Sequence, residues 1–600
     1  MCGILFSNWK TNNNSPSYKI LKKSLSLLDN RGPDYSKLIL SNKWCIGHTR
    51  LSIIDPVSKK SNQPFTDFEG RYYLTFNGEI YNYKELKSNL LLKGYKFFTN
   101  SDTEVLFVLL KNFSIESVLA LIKGMFAFVF FDKQEQTFTA ARDHFGQKPL
   151  YYCIDKNFVG ISSNVKSLNL IVNSKPDLDL YNIYLSSNGI INQKKTFFKK
   201  IKSLQAGTYI YGKNFSYNSY TYFRPENLFN DKENSIQKKN SINSSIDNLK
   251  YLMKKSVKRH LVSDVKVGVL LSGGIDSSLL YYFAREKNKD VSSFTSLSPG
   301  IEKNSFNLVP KIIKKFPAKK NFFITQNTNE YIPSLLNLIK NTYNLPRWGG
   351  GPPMSKICER AKKNNVKVLI GGDGVDEISG GYNTMIKLIK KKNLNKFSIH
   401  QTLTLNCPSF LKKNKYFYDF EKSIKDEKKT IFSKLKNIKN HRERVINSLL
   451  MQDTSSFLQM CTLPHSDEYS MFNSVELRNP YLDLDLVRFI FNEPLNRKIS
   501  NNNTKILFKK LAITSLGAFI NAKKEGTRNY SKYISNINFW NLRKFKIFEI
   551  LNVSKIPTIH NHKLLYKLIS LEIFHRSVIL KDKNFFREIM SKQGINSLRI

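Results

Sequence analysis

Apolar residues gather along the chain in short blocks separated by polar or glycine-rich stretches, and two of these blocks end alike. Val265–Leu271 (VKVGVLL) and Val366–Ile370 (VKVLI) are short and rich in valine, isoleucine and leucine, so each is expected to form a buried parallel strand. The first runs into Ser272-Gly273-Gly274 and the second into Gly371-Gly372; glycine lets the backbone turn tightly into a following helix. Ser292–Leu297 adds a strand, helical stretches lie between the blocks, and Ile246–Leu261 has helical spacing. This alternation predicts a doubly wound α/β sheet with its ligand at the carboxyl ends of the strands. Nearer the N-terminus, Gly124–Phe131 alternates as a strand does, and Asn77-Gly78 predicts a tight turn. Asp102 precedes the apolar run Val105–Leu110, where it is a candidate helix N-cap. From Arg224 to Ser245 the chain is polar and asparagine-rich, as linkers are.

The first glycine-rich turn also carries chemistry. Its backbone N–H groups, the hydroxyls of Ser272, Ser277 and Ser278 and the helix N-terminus form an expected anion cradle. It is neither a Walker A loop nor a GxGxxG turn, because Asp276 lies inside it. An aspartate beside phosphates fits Mg²⁺ bridging carboxylate and pyrophosphate. The pattern SGGxDS resembles the pyrophosphate loop of ATP-pyrophosphatases, enzymes that split ATP into AMP and pyrophosphate while activating a substrate as an adenylate.

Composition narrows the class without changing this picture. At 600 residues and 41% hydrophobic, the chain is long enough for more than one cored domain. Its longest apolar stretch, Ser117–Phe131, contains Lys123 and falls short of the roughly 18 uninterrupted apolar residues of a membrane span. No basic-then-apolar leader opens the sequence, so a cytoplasmic protein with no membrane partner is expected. The net charge of +48 is spread along the whole chain, which favours a solvated basic surface over a nucleic-acid partner. Six cysteines are scattered without metal-ligand or disulfide spacing, and Cys2 stands apart by position alone.

Removal of Met1 leaves cysteine first, with nucleophile and base in one residue: an α-amine of pKa about 7.7 to 8.0 can accept the thiol proton. Arg31-Gly32-Pro33-Asp34, HTRLSIID (48–55), FNGEIYNY (76–83), SDTE (101–104) and ARDHFGQKPLYY (141–152) follow in order. Together they resemble the class II glutamine amidotransferase domain over residues 2–222. The resemblance implies an N-terminal nucleophile hydrolase, an αββα sandwich with two antiparallel sheets between helices. It implies that Cys2 attacks the glutamine side-chain amide and that Asn77 and Gly78 hold the oxyanion. It further implies that Arg50 grips the α-carboxylate, Glu79 and Asp102 receive the α-ammonium, and Leu51, Ile53 and Ile54 line the pocket. Asn164 departs from the glutamate common in relatives.

Past the expected linker (223–245), residues 246–600 resemble the synthetase domain of asparagine synthetases. The resemblance rests on the first loop, on GGDGVDEISGGY (371–382) and on SMFNSVELRNPYLDLDLVRF (470–489), read as a helix and loop. It implies ATP contacts from Leu270, Ser272, Gly273, Gly274, Asp276, Ser277, Ser278, Ser296, Gly371 and Gly372, with Mg²⁺ on Asp276 and Asp376. Asp373 takes the place of an acidic group near the attacking ammonia, and Lys524, in AKKEGT (522–527), faces the adenylate. Glu476 and Arg478 read equally well as a structural ion pair. The expected activity is ATP-dependent amidation of aspartate to asparagine with glutamine-derived ammonia, through an apolar interdomain tunnel in a homodimer. A uronic acid as acceptor is the alternative, raised by LPRWGGGPPMSK (345–356), Gly371, Val375 and His465.

Overall fold

The structure is a computed structural model that describes the chain except residues 1, 12–14, 188–193, 298–302, 348, 392–393, 396–397, 399–402, 521–541, 554–560, 586 and 588–600. Its N-terminal part holds two six-stranded sheets. One runs Lys202–Ser203, Tyr151–Ile154, Phe158–Ser162, Gly3–Trp9, Trp44–Arg50, Tyr35–Leu40; the other runs Ser216–Thr221, Thr208–Lys213, Thr137–Arg142, Gly124–Asp132, Tyr72–Ile80, Phe65–Thr66. Neighbouring strands are antiparallel throughout both. Alternate side chains, among them Ile4, Phe6, Ile46, Val129, Phe131 and Ala140, meet between the sheets as one core. Helices Tyr18–Ser26 and Val165–Val172 pack beside the first sheet, and Tyr83–Leu92 and Asp102–Asn112 beside the second. This is the expected αββα sandwich.

Three local expectations change. Asn77-Gly78 is no turn: both lie within the strand Tyr72–Ile80, opposite Ala127 and Phe126. The glycine answers a close approach instead, since a Cβ at position 78 would meet the Met125 carbonyl oxygen at 2.1 Å. The helix N-cap is Ser101, which accepts from the Thr103 N–H at 3.1 Å, and Asp102 is the first helical residue. The polar stretch 223–245 carries a 3-10 turn at Pro225–Leu228 and a helix at Asp231–Lys239. That helix is made by its ends: Asn230 caps it, Asp231 and Glu233 occupy the first turn and Lys238 and Lys239 the last. With so little apolar surface, it gives no periodic hydrophobic signal to read.

Five parallel strands form the C-terminal sheet, in the order Asn321–Ile324, Ser292–Ser296, Val267–Leu270, Val368–Ile370, Glu476–Arg478. Strand order reverses between Val267–Leu270 and Val368–Ile370, and both glycine-rich loops leave from the carboxyl ends of these two strands. That crevice is where doubly wound folds bind ligands. Glu476–Arg478, expected within a helix and loop, is the edge strand of this sheet. Among the described residues no helix is long and apolar enough to cross a membrane.

The loop after Thr137–Arg142 is buried and satisfies itself. Arg142 donates to the carbonyls of Lys148, Gly146 and Leu204 at 2.6–2.7 Å. The Asp143 carboxylate accepts from the N–H groups of Phe126, Phe145, Gln147 and Lys148 at 2.9–3.3 Å. Removing that acceptor leaves several buried donors unpaired. Asp143→Ala is therefore expected to destabilise the N-terminal sandwich by roughly 3 kcal/mol, read as a shift of its denaturant midpoint; an unchanged midpoint would contradict this role.

Candidate active sites

The first site forms where the start of the strand Gly3–Trp9 meets the strand Tyr72–Ile80 of the other sheet, one place in from its edge. The Cys2 nitrogen donates to Asn77 Oδ1 at 2.9 Å, which fixes the amide so that its Nδ2 end is left over. That Nδ2 is buried and has no partner among the described residues. A buried amide donor beside a thiol, with Gly78 next to it, has the composition of an oxyanion hole. Burial pushes the Cys2 thiol up, opposed by the chain's amino terminus and the Leu51 N–H. An uncharged resting thiol suits a nucleophile activated by its own amine.

Arg50, Leu51, Ile53, Ile54, Gly78, Glu79 and Asp102 line one pocket with Cys2. Arg50 is held by Asn62 Oδ1 (2.8 Å) and by the carbonyls of Ile54 and Asp55 (2.9 and 3.0 Å). Asp102 accepts from the Ile80 N–H at 3.0 Å, and burial raises it to about 6. Sequence reasoning missed Gln63 and Thr103 in the wall, and Glu476, which reaches the pocket from the other domain. No local pattern marks them, because only the tertiary fold brings them to Cys2.

The second site opens at the reversal of strand order. Gly273 takes a left-handed φ of 79°, and Ser272 and Ser277 hold each other through hydroxyls 2.9 Å apart on the exposed side of the loop. Leu270 ends its strand there and Ser296 ends the neighbouring one. Gly274 caps the helix Ile275–Lys287, and Gly371 and Gly372 form the facing turn. Ser278 departs from expectation: it is fully buried and its hydroxyl donates to the Gly274 carbonyl at 2.7 Å, so it faces away from the cradle.

Asp276 and Asp376 converge on one cation. Lys505 Nζ donates to Asp276 Oδ2 at 2.6 Å and to Asp376 Oδ1 at 2.9 Å. Gly381 makes room, since a Cβ there would stand 1.8 Å from Asp376 Oδ1. Lys505 is the main residue missed from sequence, one of 95 lysines and arginines without a motif around it. Asp276 Oδ1 is buried with no partner among the described residues. Two carboxylates gathered around a positive centre, one with an open oxygen, fit Mg²⁺ of the kind completed by substrate phosphates. No group of three or more candidate metal ligands exists among the described residues, so protein oxygens alone make an incomplete shell.

Deeper in the cleft, Asp373 accepts from Ser466 Oγ at 2.5 Å, and burial raises it to about 6. Glu377 accepts from Tyr382 and Thr462 (2.7 and 3.2 Å); burial, then Asp376, pushes it to about 8, which leaves it mostly protonated at neutral pH. His465 accepts from the Arg347 N–H at 2.7 Å. Lys524 lies outside the described residues.

Buried contacts connect the two sites. Arg31 donates to the Cys2 carbonyl at 3.1 Å and to both carboxylate oxygens of Asp467 at 2.8 and 3.3 Å. Lys148 Nζ lies 3.7 Å from Asp467, whose neighbour Ser466 holds Asp373. Asn164, a departure noted above, caps the helix Val165–Val172 through Lys166 and Ser167 N–H.

Comparison with known proteins assigns each half of the chain to a family. A family model described as glutamine amidotransferase domain matches residues 1–223, and one described as asparagine synthase matches residues 248–534. The αββα sandwich is thus a glutamine amidotransferase domain, joined to a doubly wound synthetase domain. The chain belongs to the two-domain family that pairs a glutamine amidotransferase domain with an asparagine synthase domain, a family of glutamine-dependent ligases. It is 28% identical over 557 residues to asparagine synthetase (glutamine-hydrolyzing) 1 of Bacillus subtilis (strain 168), covering 85% of this chain and 84% of the relative. Asparagine synthetase (glutamine-hydrolyzing) 2 of the same organism is 30% identical over 496 residues, 80% of this chain and 64% of that one. Asparagine synthetase B (glutamine-hydrolyzing) of Escherichia coli (strain K12) is 27% identical over 414 residues, 66% and 68%.

Asn77→Asp keeps the shape of the side chain but replaces its amide donor with an acceptor. Glutamate release from glutamine is expected to fall by about 10² to 10³, while amidation with added ammonium salts stays within twofold; an unchanged hydrolysis rate would remove Asn77 from the oxyanion site.

Proposed function

We propose that this chain converts aspartate to asparagine, using ATP and the side-chain amide of glutamine, with glutamate, AMP and pyrophosphate as the other products. The observation that carries the reading is the run of contacts from the Cys2 carbonyl through buried Arg31 and Asp467 to the adjacent Ser466, whose hydroxyl donates to Asp373. A nucleophile site and an acidic, phosphate-loop site tied together in this way suit two half-reactions that share ammonia.

In the first half-reaction Cys2 Sγ attacks the amide carbon of glutamine while the α-amine takes the thiol proton. Charge gathers on the carbonyl oxygen, where Asn77 Nδ2 and the Gly78 N–H receive it. Collapse forms the thioester and expels ammonia, and water then releases glutamate. Arg50 pairs with the substrate α-carboxylate, and Glu79 and Asp102 take the α-ammonium.

In the second, a carboxylate oxygen of the acceptor attacks the α-phosphorus of ATP and pyrophosphate leaves. Ammonia attacks the acyl carbon, loses a proton and displaces AMP. Mg²⁺ held by Asp276 and Asp376 neutralises phosphate charge when bound. Lys505, already between those carboxylates, is placed to follow the β- and γ-phosphates, while Ser272, Ser277 and the loop N–H groups bind the same oxygens. Asp373, which accepts from Ser466 Oγ in the cleft, is the candidate for the acceptor's α-ammonium. We further propose that the enzyme acts in the cytoplasm as a homodimer.

The test uses purified enzyme with ATP, Mg²⁺, amide-labelled glutamine and either aspartate or a panel of uronic acids, with products identified by mass. Labelled asparagine and AMP are expected, and Cys2→Ala is expected to lose glutamine-dependent but keep ammonium-dependent synthesis. A labelled uronamide without asparagine, or ADP in place of AMP, would contradict the reading.

A further inference from the structure

The pocket around Cys2 is not closed by its own domain. Glu476, on the edge strand of the C-terminal sheet, stands in its wall beside Glu79 and Asp102. Two residues along that strand, Arg478 Nη2 donates to Glu79 Oε2 at 3.1 Å, and Nε donates to Glu476 Oε1 at 2.5 Å. Nη1 donates to the carbonyls of His260 and Val262 at 2.8 and 2.6 Å. All three side chains are essentially excluded from water, with exposures of 0 to 3%. One guanidinium thus holds a carboxylate from each domain, and its backbone anchors fix where it stands.

Taken by themselves, with both glutamates ionised, the three side chains carry a net negative charge that Lys148 offsets in part, in a place where unpaired charge is costly. Burial, reinforced by Asp102, pushes Glu79 well above the usual carboxylate range, whereas Arg478 overcomes burial at Glu476 and holds it near 2. Glu79 Oε1 is buried and has no partner among the described residues, and its residue lines the pocket. A substrate α-ammonium placed against that oxygen would supply both the missing bond and the missing charge.

We infer that Glu476 and Arg478, residues of the asparagine synthase domain, are positioning residues of the glutamine pocket. Arg478 clamps Glu79 Oε2 so that Oε1 is presented to the α-ammonium, and Glu476 holds Arg478 in place while adding negative potential to the pocket wall. The inference rests on the reading that glutamine occupies the Cys2 pocket, and it makes glutamine affinity a property of both domains. The same strand continues to the ATP side, where the Gly371 N–H donates to the Arg478 carbonyl at 2.8 Å.

The triad's other role is simple cement between domains, and the two roles differ in what they change. Full-length Glu476→Gln is assayed for glutamine hydrolysis, ammonium-dependent amidation and thermal midpoint, with Glu476→Asp as the conservative partner. Positioning predicts a rise in KM for glutamine of at least tenfold, kcat within threefold, ammonium-dependent amidation within twofold, and partial recovery of KM in Glu476→Asp. It also predicts at least tenfold slower alkylation of Cys2 by a diazoketone analogue of glutamine that carries the α-ammonium, with the rate toward iodoacetamide unchanged. A lower thermal midpoint with unchanged KM and unchanged alkylation would reduce the triad to cement and overturn the inference. If Glu476→Gln does not fold, the same measurements on Glu476→Asp decide, with a KM raised at least threefold expected and an unchanged KM contradictory. Loss of hydrolysis in Cys2→Ala separates these outcomes from failure of the pocket assignment itself, since persistence there would fault the glutamine reading instead.

Discussion

Charge buried between two domains must be paired where it lies, and the structure is organised by that constraint. Arg31 with Asp467 and Arg478 with Glu79 and Glu476 are arginine–carboxylate sets that cross from one domain to the other in near-complete burial. Breaking such a pair costs more than its formation contributes, because an uncompensated ion is left behind. The domains therefore have little freedom to separate or slide near Cys2. The pocket at Cys2 has Glu79 and Glu476 of these sets in its wall, and preorganised sites require walls fixed in this way.

The sequence was most legible where local physics decides. The apolar strands before Ser272 and Gly371, the turns that follow and the alternation of Gly124–Phe131 each rest on residues adjacent in the chain, and each appears in the fold. The glutamine pocket was legible for a different reason: Cys2, Arg50, the Asn77-Gly78 pair and Asp102 sit in dense motifs, and they converge on one cavity. The helix Asp231–Lys239 was hidden because caps and end charges make it rather than a hydrophobic stripe. Asn77-Gly78 looked like a turn because glycine serves turns and close strand approaches alike, and only the Met125 carbonyl tells them apart.

What sequence could not supply was partnership across long separations. Lys505 lies 229 residues from Asp276, and Arg478 lies 399 from Glu79. An isolated lysine in a lysine-rich chain has no distinguishing neighbour, and its role emerges only once two carboxylates are seen on one Nζ. In the sequence Glu476 and Arg478 make a structural ion pair at least as readily as a substrate contact; the fold adds a third member, Glu79, from the other domain. Ser278 shows the opposite error, since a motif position suggested a phosphate contact and the helix turned its hydroxyl inward.

In the proposed reaction one chain makes ammonia at Cys2 and consumes it at the phosphate-loop site, across an interface that buried ion pairs hold together. The most direct measurement gives the enzyme ¹⁵N-amide glutamine, ATP, Mg²⁺ and aspartate in the presence of excess ¹⁴N ammonium at a pH where little free ammonia exists, and reads the isotope in asparagine. Ammonia passed directly between the sites gives asparagine labelled overwhelmingly with ¹⁵N. Asparagine carrying the isotope ratio of the bulk solution would contradict direct passage.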